Sequence, residues 1–490
     1  MLLNFGYAVL LLLAAPWILH RAVRHGRYRR GLGEKLWGLS RRKAAELRFG
    51  PPPGNASSPG QPPATGQSPT AGRPPGVAAS PSEDPTPLVW LHAVSVGEVN
   101  LLPALLEQLQ HSHPRSRIVV STSTDTGYDL AVDRFGSDRV FFCPLDFTWA
   151  TRRTVRRLGP SLLVLTELEL WPHLIQAATD GGCPVAVINA RLSQSSAAGY
   201  QRLAWLTKRT FSRLAWVGCQ DEATRRRFVA CGVAPSRAEV TGSIKFDNAA
   251  DLGAGDEVES RARWAGLRGN GGVPGETLVW CFGSTQPGEE SMALRVYREL
   301  VAERPQLRLI LAPRHPERFD AVARLIEESG YRPIRRSRNE AGQPDWPPDA
   351  VVLVDTIGEL RHWWGVSQIA TVGGTFADRG GQNLLEPAGH GCVVSFGPDY
   401  RNFADIARRL MSADAGVCLA GEDDLRLFLA GCLDDPHAAA ARGQRALALI
   451  RQHRGASART VNALTAVSKS LARDRLAGDR RPFPPRRPAA

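Results

Sequence analysis

The chain has eight cysteines but no C-x-x-C pair, and its histidines show neither H-E-x-x-H nor another metal-ligand spacing. These absences exclude a disulfide-stapled scaffold and give no support to a zinc site, so a reduced catalytic body with no structural metal is expected. Neither a G-x-G-x-x-G nor a G-x-x-x-x-G-K-[ST] string occurs, which removes the usual dinucleotide and P-loop signals. Acidic residues are in deficit: 61 Lys and Arg face 48 Asp and Glu, leaving a formal charge of +13. The surplus gathers near the ends, in Arg21, Arg24, Arg27, Arg29 and Arg30 and in Arg480, Arg481, Arg486 and Arg487. Such terminal clusters suit a membrane surface. With no nucleic-acid-binding motif and no aromatics interleaved on a basic face, no nucleic-acid partner is expected.

Long apolar runs are scarce as well. One stretch, Met1 to Leu19, carries no charge and is long enough to just reach across a bilayer as a helix. Its basic cluster follows the apolar run, the reverse of a cleaved signal peptide. The pattern predicts a transmembrane anchor over residues 1–20 with everything after it on the cytoplasmic side of the membrane. A basic membrane-proximal stem (residues 21–49) and a Pro-, Gly- and Ser-rich tether (residues 50–87) follow.

Beyond the tether, short β-rich runs alternate with helical stretches. Leu88 to His92, Ile118 to Ser121, Val140 to Phe142, Leu162 to Leu165, Val185 to Ile188 and Trp216 to Gly218 form a first series. Leu278 to Phe282, Leu307 to Leu311, Val351 to Val354, Ala370 to Val372 and Val393 to Phe396 form a second. Alternation of this kind builds parallel sheets covered by helices on both faces. The expected fold is α/β, with two doubly wound Rossmann-like domains facing a cleft: residues 88–250, a linker at 251–275, and residues 276–455, then a basic tail at 456–490. Ligands in such sheets bind beyond the carboxyl ends of the strands.

The residues with chemical potential sit at those ends. Glu98 follows the first strand, either closing a capping box with Ser95 or acting as a general base toward an acceptor hydroxyl. Glu167 and Glu169 follow the strand at Leu162, as solvated loop acids or as a pair that stabilises developing positive charge. Lys245 ends the first domain, where it is solvated or reaches an anion across the cleft. Ser284 lies in a strand-to-helix turn whose free N–H groups can hold an anion, with Pro287 suited to the first helical turn. Pro313 and Arg314 follow another strand, and the Arg fork suits a phosphate or a loop carboxylate. Gly373 and Gly374, with Gly380 and Gly381, allow close backbone approach by a ligand, while Asn383 and Glu386 either bind it or cap a helix.

Taken in order, these strings resemble the 3-deoxy-D-manno-octulosonic acid (Kdo) transferase family, two-domain GT-B glycosyltransferases of lipopolysaccharide synthesis. The resemblance runs from Leu88 to about Leu410 through Ala93–Glu98, Ser121–Gly127, Glu167–Pro172, Asn189–Ser193, Lys245–Asp247, Pro313–Phe319, Asp355–Leu360, Gly373–Gly374, Asn383–Pro387 and Asn402–Phe403. It implies an inverting transfer of Kdo from CMP-Kdo to a lipid A precursor (lipid IVA), with no cofactor and no required metal. By motif, Glu98 is the base, and Glu167 or Glu169 assists with Lys245. CMP-Kdo is held by Ser284, Pro313, Arg314, Ile357, Gly358, Glu359, Gly373, Gly374, Asn383, Leu384, Leu385 and Glu386. The implied partners are that donor, that acceptor and inner-membrane lipids.

The chain departs from the family pattern at Gln286 and Gln382, where His is common, and at Leu168, His173 and Ile357, where Thr, Asn and Met are common. Another GT-B nucleotide-sugar transferase, an epimerase of the same fold, or a non-catalytic membrane sugar-binding protein are the competing readings.

Overall fold

A computed structural model describes residues 2–25, 30–50, 86–250, 277–338 and 346–477. The tether, the inter-domain linker, Arg27, Arg29 and the arginines from Arg480 onward fall outside the described residues, the tether's outermost positions excepted. Two compact units result: Met1–Ile244 together with Gly455–Ala490, and Lys245–Arg454.

In the first unit the strands are β1 (Leu88–His92), β2 (Arg117–Thr122), β3 (Val140–Phe142), β4 (Leu162–Thr166), β5 (Val185–Ala190), β6 (Trp216–Cys219) and β7 (Ala238–Val240). They pair in the order β3-β2-β1-β4-β5-β6-β7, and every pairing is parallel. Inner strands buried on both faces explain the near-continuous apolar runs: β1, β4 and β5 are buried at every position. The order reverses between β1 and β4, which opens a crevice beyond their carboxyl ends.

The second unit repeats the plan. Its strands are β8 (Leu278–Thr285), β9 (Leu307–Pro313), β10 (Arg332–Arg335), β11 (Ala350–Leu353), β12 (Ile369–Val372), β13 (Val393–Phe396) and β14 (Gly416–Cys418). They run in the order β10-β11-β9-β8-β12-β13-β14, so the switch point lies between β8 and β12. All eleven expected strands are present. Three more, β7, β10 and β14, complete the sheets at their edges.

The termini differ from expectation. The apolar N-terminal run is a helix, Leu2–His25, with Pro16 inside it. Yet among the described residues no helix is long and apolar enough to cross a membrane, so the transmembrane anchor is not borne out. The start of this helix instead lies against the first unit: Asn4 donates to the Thr148 hydroxyl at 2.8 Å and Tyr7 to Asp146 at 3.2 Å.

The stem is equally part of the fold. Leu39 and Leu47 are fully buried in the first core, the Leu39 N–H donates to Thr154 at 3.1 Å, and Glu34 accepts the Phe142 N–H at 2.8 Å. The supposed tail is also ordered in its first half, because the helix Ala456–Ala477 returns to the first unit. It buries Ala456, Val461 and Leu464 there, and Thr465 meets His113 at 2.7 Å. An apolar stripe at helical spacing produces this return, and the dense arginines around it hide the stripe in composition.

Candidate functional site

At the first switch point, the chain leaves β1 and turns into a four-residue helix, Val96–Val99, that carries Glu98. Glu98 is 8 % exposed. Its Oε2 accepts the Val94 N–H at 2.8 Å and the hydroxyl of Thr166 from the end of β4. Ser95 reaches Oε1 at 3.4 Å. No capping box forms: the Ser95 side chain makes no cap bond, and Glu98 serves Val94 and β4 instead. This is a carboxylate held by fixed donors at the crevice, not a helix cap.

Beyond β4, Glu167 adopts a left-handed backbone at φ 50°, as does Asn189 near the end of β5. Such conformations in non-glycine residues are costly and persist where the surroundings enforce them. Here Asn189, fully buried, donates to Glu167 at 3.4 Å and accepts the Ile244 N–H at 3.1 Å, tying the end of β5 to the segments that follow β4 and β7. Glu169 accepts the Trp171 indole N–H at 3.0 Å.

Three acids therefore share one neighbourhood. Burial, then the charge of Glu98, lifts the Glu169 carboxyl to about 7. Burial also raises Glu98, opposed by the Thr166 and Val94 bonds and reinforced by the Glu167 charge. A cluster in which burial and neighbouring charge raise two carboxyls is an arrangement that acid–base and charge-stabilising sites use.

The expected position of Lys245 needs correction. It opens the helix Lys245–Ala250 and belongs to the second unit, rather than ending the first.

In the second unit, Ser284 bulges out of β8 at φ 58°, shifting the register against β9. The helix that follows starts at Glu289, with Gly288 before it, so Pro287 lies in the preceding turn and not in the first helical turn. Glu289, 3 % exposed, gathers three backbone donors: Gln286 at 2.8 Å, Gly374 at 2.8 Å and Phe376 at 3.1 Å. It pins the loop after β8 to the loop after β12. Glu290, fully buried, takes the Arg318 fork at 2.7 and 2.9 Å and the Thr285 hydroxyl at 2.6 Å. Sequence reasoning passed over both; the only signal was a Glu pair directly after a strand-to-helix turn.

Between these loops lies a cavity of about 440 Å³ lined by Gln286, Pro287, Arg314, His315, Arg318, Arg379 and Gln382. Arg314 stands on its wall as expected of a residue beyond β9, and its backbone N–H donates to Thr285 at 3.1 Å. Arg379, Arg318 and His315 were not anticipated.

Other expected residues are placed differently. A Cβ on Gly373 would come within 2.6 Å of the Ser284 carbonyl oxygen, so this glycine admits the neighbouring strand, not a ligand. Leu384 and Leu385 belong to the apolar core, which leaves their side chains unavailable to a polar substrate. Pro313 is buried in β9, Ile357 is 80 % exposed, Gly358 has φ 83° and Glu359 pairs with Arg336 at 3.1 Å. Asn383 donates to Glu386 at 3.1 Å while accepting the Leu385 N–H at 3.1 Å. Burial raises the Glu386 carboxyl against the pull of Asn383, Arg361 and Arg314.

Comparison with known proteins bears on this pair of sites. The family model for 3-deoxy-D-manno-octulosonic-acid transferase (kdotransferase) matches residues 70–248. A 3-deoxy-D-manno-octulosonic acid transferase of Haemophilus influenzae is 33% identical over 385 residues, 77% of this chain and 86% of that protein. One from Bordetella pertussis is 33% identical over 396 residues, 78% of this chain and 88% of that protein. Among solved structures, the C-terminal CMP-Kdo binding domain of WaaA from Acinetobacter baumannii is 27% identical, with a TM-score of 0.36, covering 40% of this chain and 97% of that one. With identity of this depth running through both parallel-sheet units, the chain belongs to the 3-deoxy-D-manno-octulosonic acid transferase family.

Proposed function

We propose that this protein transfers Kdo from CMP-Kdo to a hydroxyl of a lipid A precursor, lipid IVA, in one inverting step at the cytoplasmic face of the inner membrane. Glu98 takes the proton of the acceptor hydroxyl as that oxygen attacks the anomeric carbon. The bond to the CMP phosphate breaks as the new bond forms. Glu167 and Glu169 stabilise the positive charge that develops at the sugar carbon, and Lys245 and Arg314 stabilise the departing phosphate.

One observation carries the reading. Glu98 is a buried carboxylate held at the switch point of the first sheet by Val94 and Thr166, where a general base for a sugar acceptor belongs. The N-terminal helix supports the membrane location: Phe5, Leu12 and Leu13 are exposed, an apolar surface fitted to lie in the headgroup region beside basic residues such as Arg24 and Arg30.

The test is transfer of labelled sugar from CMP-Kdo to tetraacyl lipid A precursor in detergent, comparing the parent with Glu98→Gln. Lipid-linked product from the parent, nearly abolished in the variant while CMP binding persists, is the expected result. A folded, CMP-binding parent that forms no product would overturn the assignment of donor or acceptor.

A further inference from the structure

Two cavities of the described residues hold clustered arginines, and they differ in what those arginines already bind. The larger, about 900 Å³, lies in the first unit beside β7 and the helix Ala456–Ala477. Its arginines are engaged: Arg213 with Asp180 at 2.8 Å, Arg237 with the Ser212 and Leu214 carbonyls, and Arg459 with the Thr241 carbonyl at 2.9 Å. The smaller cavity in the second unit is lined by Arg314, His315, Arg318 and Arg379, with no acid in its wall.

There, Arg318 is matched by buried Glu290. Arg314 lies within the field of Glu386. Among the described residues Arg379 has neither kind of compensation. The acids nearest to it in sequence and across the loop are committed elsewhere: Asp378 pairs with Arg401, and Asp399 accepts the Gly380 N–H at 2.6 Å and lies 3.4 Å from Arg401.

Its backbone, by contrast, is held on both sides. The Arg379 carbonyl accepts Asn402 Nδ2 at 3.3 Å, the Gly381 N–H donates to the Gly374 carbonyl at 2.8 Å, and Gly380 and Gly381 turn at φ 79° and 81°. The loop backbone is thus fixed, and the exposed Arg379 side chain stands on the wall of a cavity with no acid among its lining residues. Water stabilises this exposed guanidinium, and beside Arg314, His315 and Arg318 it adds to a field of one sign that an anionic ligand would offset.

The proposed donor has two anionic groups on one carbon: the anomeric carbon of CMP-Kdo bears both the phosphate ester oxygen and the sugar carboxylate. Two cations must converge on it. We propose that Arg379 binds the sugar carboxylate while Arg314 serves the phosphate, which makes Arg379 the residue that selects an acidic sugar over a neutral one. This rests on the reading that CMP-Kdo is the donor. A guanidinium fork matches a carboxylate through two parallel hydrogen bonds, and an ammonium does not.

The experiment uses the full chain with Arg379→Gln and Arg379→Lys, reading donor KM, kcat and the Kd of CMP. Two donors are compared: CMP-Kdo and its analogue with a neutral carboxamide in place of the carboxylate. With the parent, the amide should raise KM about 10- to 100-fold, the range of a lost charge-assisted pair. Arg379→Gln should raise KM for CMP-Kdo by a similar factor, leave CMP affinity within about twofold, and handle the two donors alike. Arg379→Lys should fall between. Unchanged CMP binding also shows that the variants are folded.

A Gln variant that loses CMP affinity as much as donor affinity would place Arg379 on the phosphate and overturn the proposal. So would a Gln variant that still discriminates between the donors as the parent does. A parent that binds CMP but transfers from neither donor would remove the underlying reading itself, a result separable from both.

Discussion

The Thr166 hydroxyl at the end of β4 lies within hydrogen-bond reach of Glu98 Oε2 and, at 3.0 Å, of the His92 carbonyl at the end of β1. One side chain thus spans the two strands whose divergence opens the crevice and holds the acid that stands in it. A donor to an ionised carboxylate favours ionisation, so Thr166 opposes the upward push that burial exerts on Glu98.

Replacing Thr166 with Val keeps the shape and removes the donor. The Glu98 carboxyl should then rise further, so the acid limb of the pH–rate profile moves to higher pH. Transfer at pH 7 should fall roughly tenfold, with partial recovery at more alkaline pH. A profile that keeps its position while dropping uniformly would show that Thr166 acts on folding alone.

Glu169 predicts a conflict between stability and function. Its folded carboxyl, lifted to about 7 by burial and by Glu98, binds a proton that the unfolded chain has already released. Unfolding free energy therefore declines as pH rises from the ordinary carboxyl range through about 7. Glu169→Gln removes that loss. The variant should be more stable than the parent above neutrality by about 1 kcal/mol after allowance for partial exposure, equal to it near pH 4 in this respect, and slower in transfer. Denaturant melts of both proteins across this range would decide the matter.

Glu289 joins the loops after β8 and β12 through three backbone donors. Glu289→Gln offers one acceptor oxygen and sets an amide N–H₂ against a backbone N–H. We expect a loss of about 2–3 kcal/mol in stability and roughly tenfold weaker CMP binding. Calorimetric titration with CMP on protein shown to be folded by circular dichroism measures the second effect separately from the first.

The N-terminal helix should bind acidic surfaces without crossing them. Flotation with vesicles rich in anionic phospholipid should carry the full chain, and less of it at high salt, because exposed charges are screened. Removing residues 1–25 should leave the sheets folded, since the helix touches the body through Asn4 and Tyr7, and should reduce flotation strongly. Undiminished flotation of the shortened chain would move the membrane contact elsewhere, to Trp37 and Trp149, which are exposed near the stem.

The eleven expected strands were legible because each is buried on at least one face along most of its length and so reads as an apolar run. The three that escaped are edges. Arg332–Arg335 has one buried residue of four, and Ala238–Val240 and Gly416–Cys418 have one of three each. A strand paired on one side and open to water on the other needs no apolar run. The stem escaped for a related reason: charge dominates Arg41–Phe49, while Ala44 and Leu47 alone face inward.

At the site, the sequence by itself determined that acids follow β1 and β4 and that an arginine follows β9, because a strand's carboxyl end is written in the apolar run before it. Tertiary structure decided which of these residues meet. Thr166 reaching Glu98, Glu289 bridging two glycine loops, and Arg379 joining Arg314 around one cavity depend on strand order and on backbone turns such as Ser284 and Asn189. Residues separated by tens of positions are brought together by the parallel crossovers, and no local pattern records which strand becomes the neighbour of which.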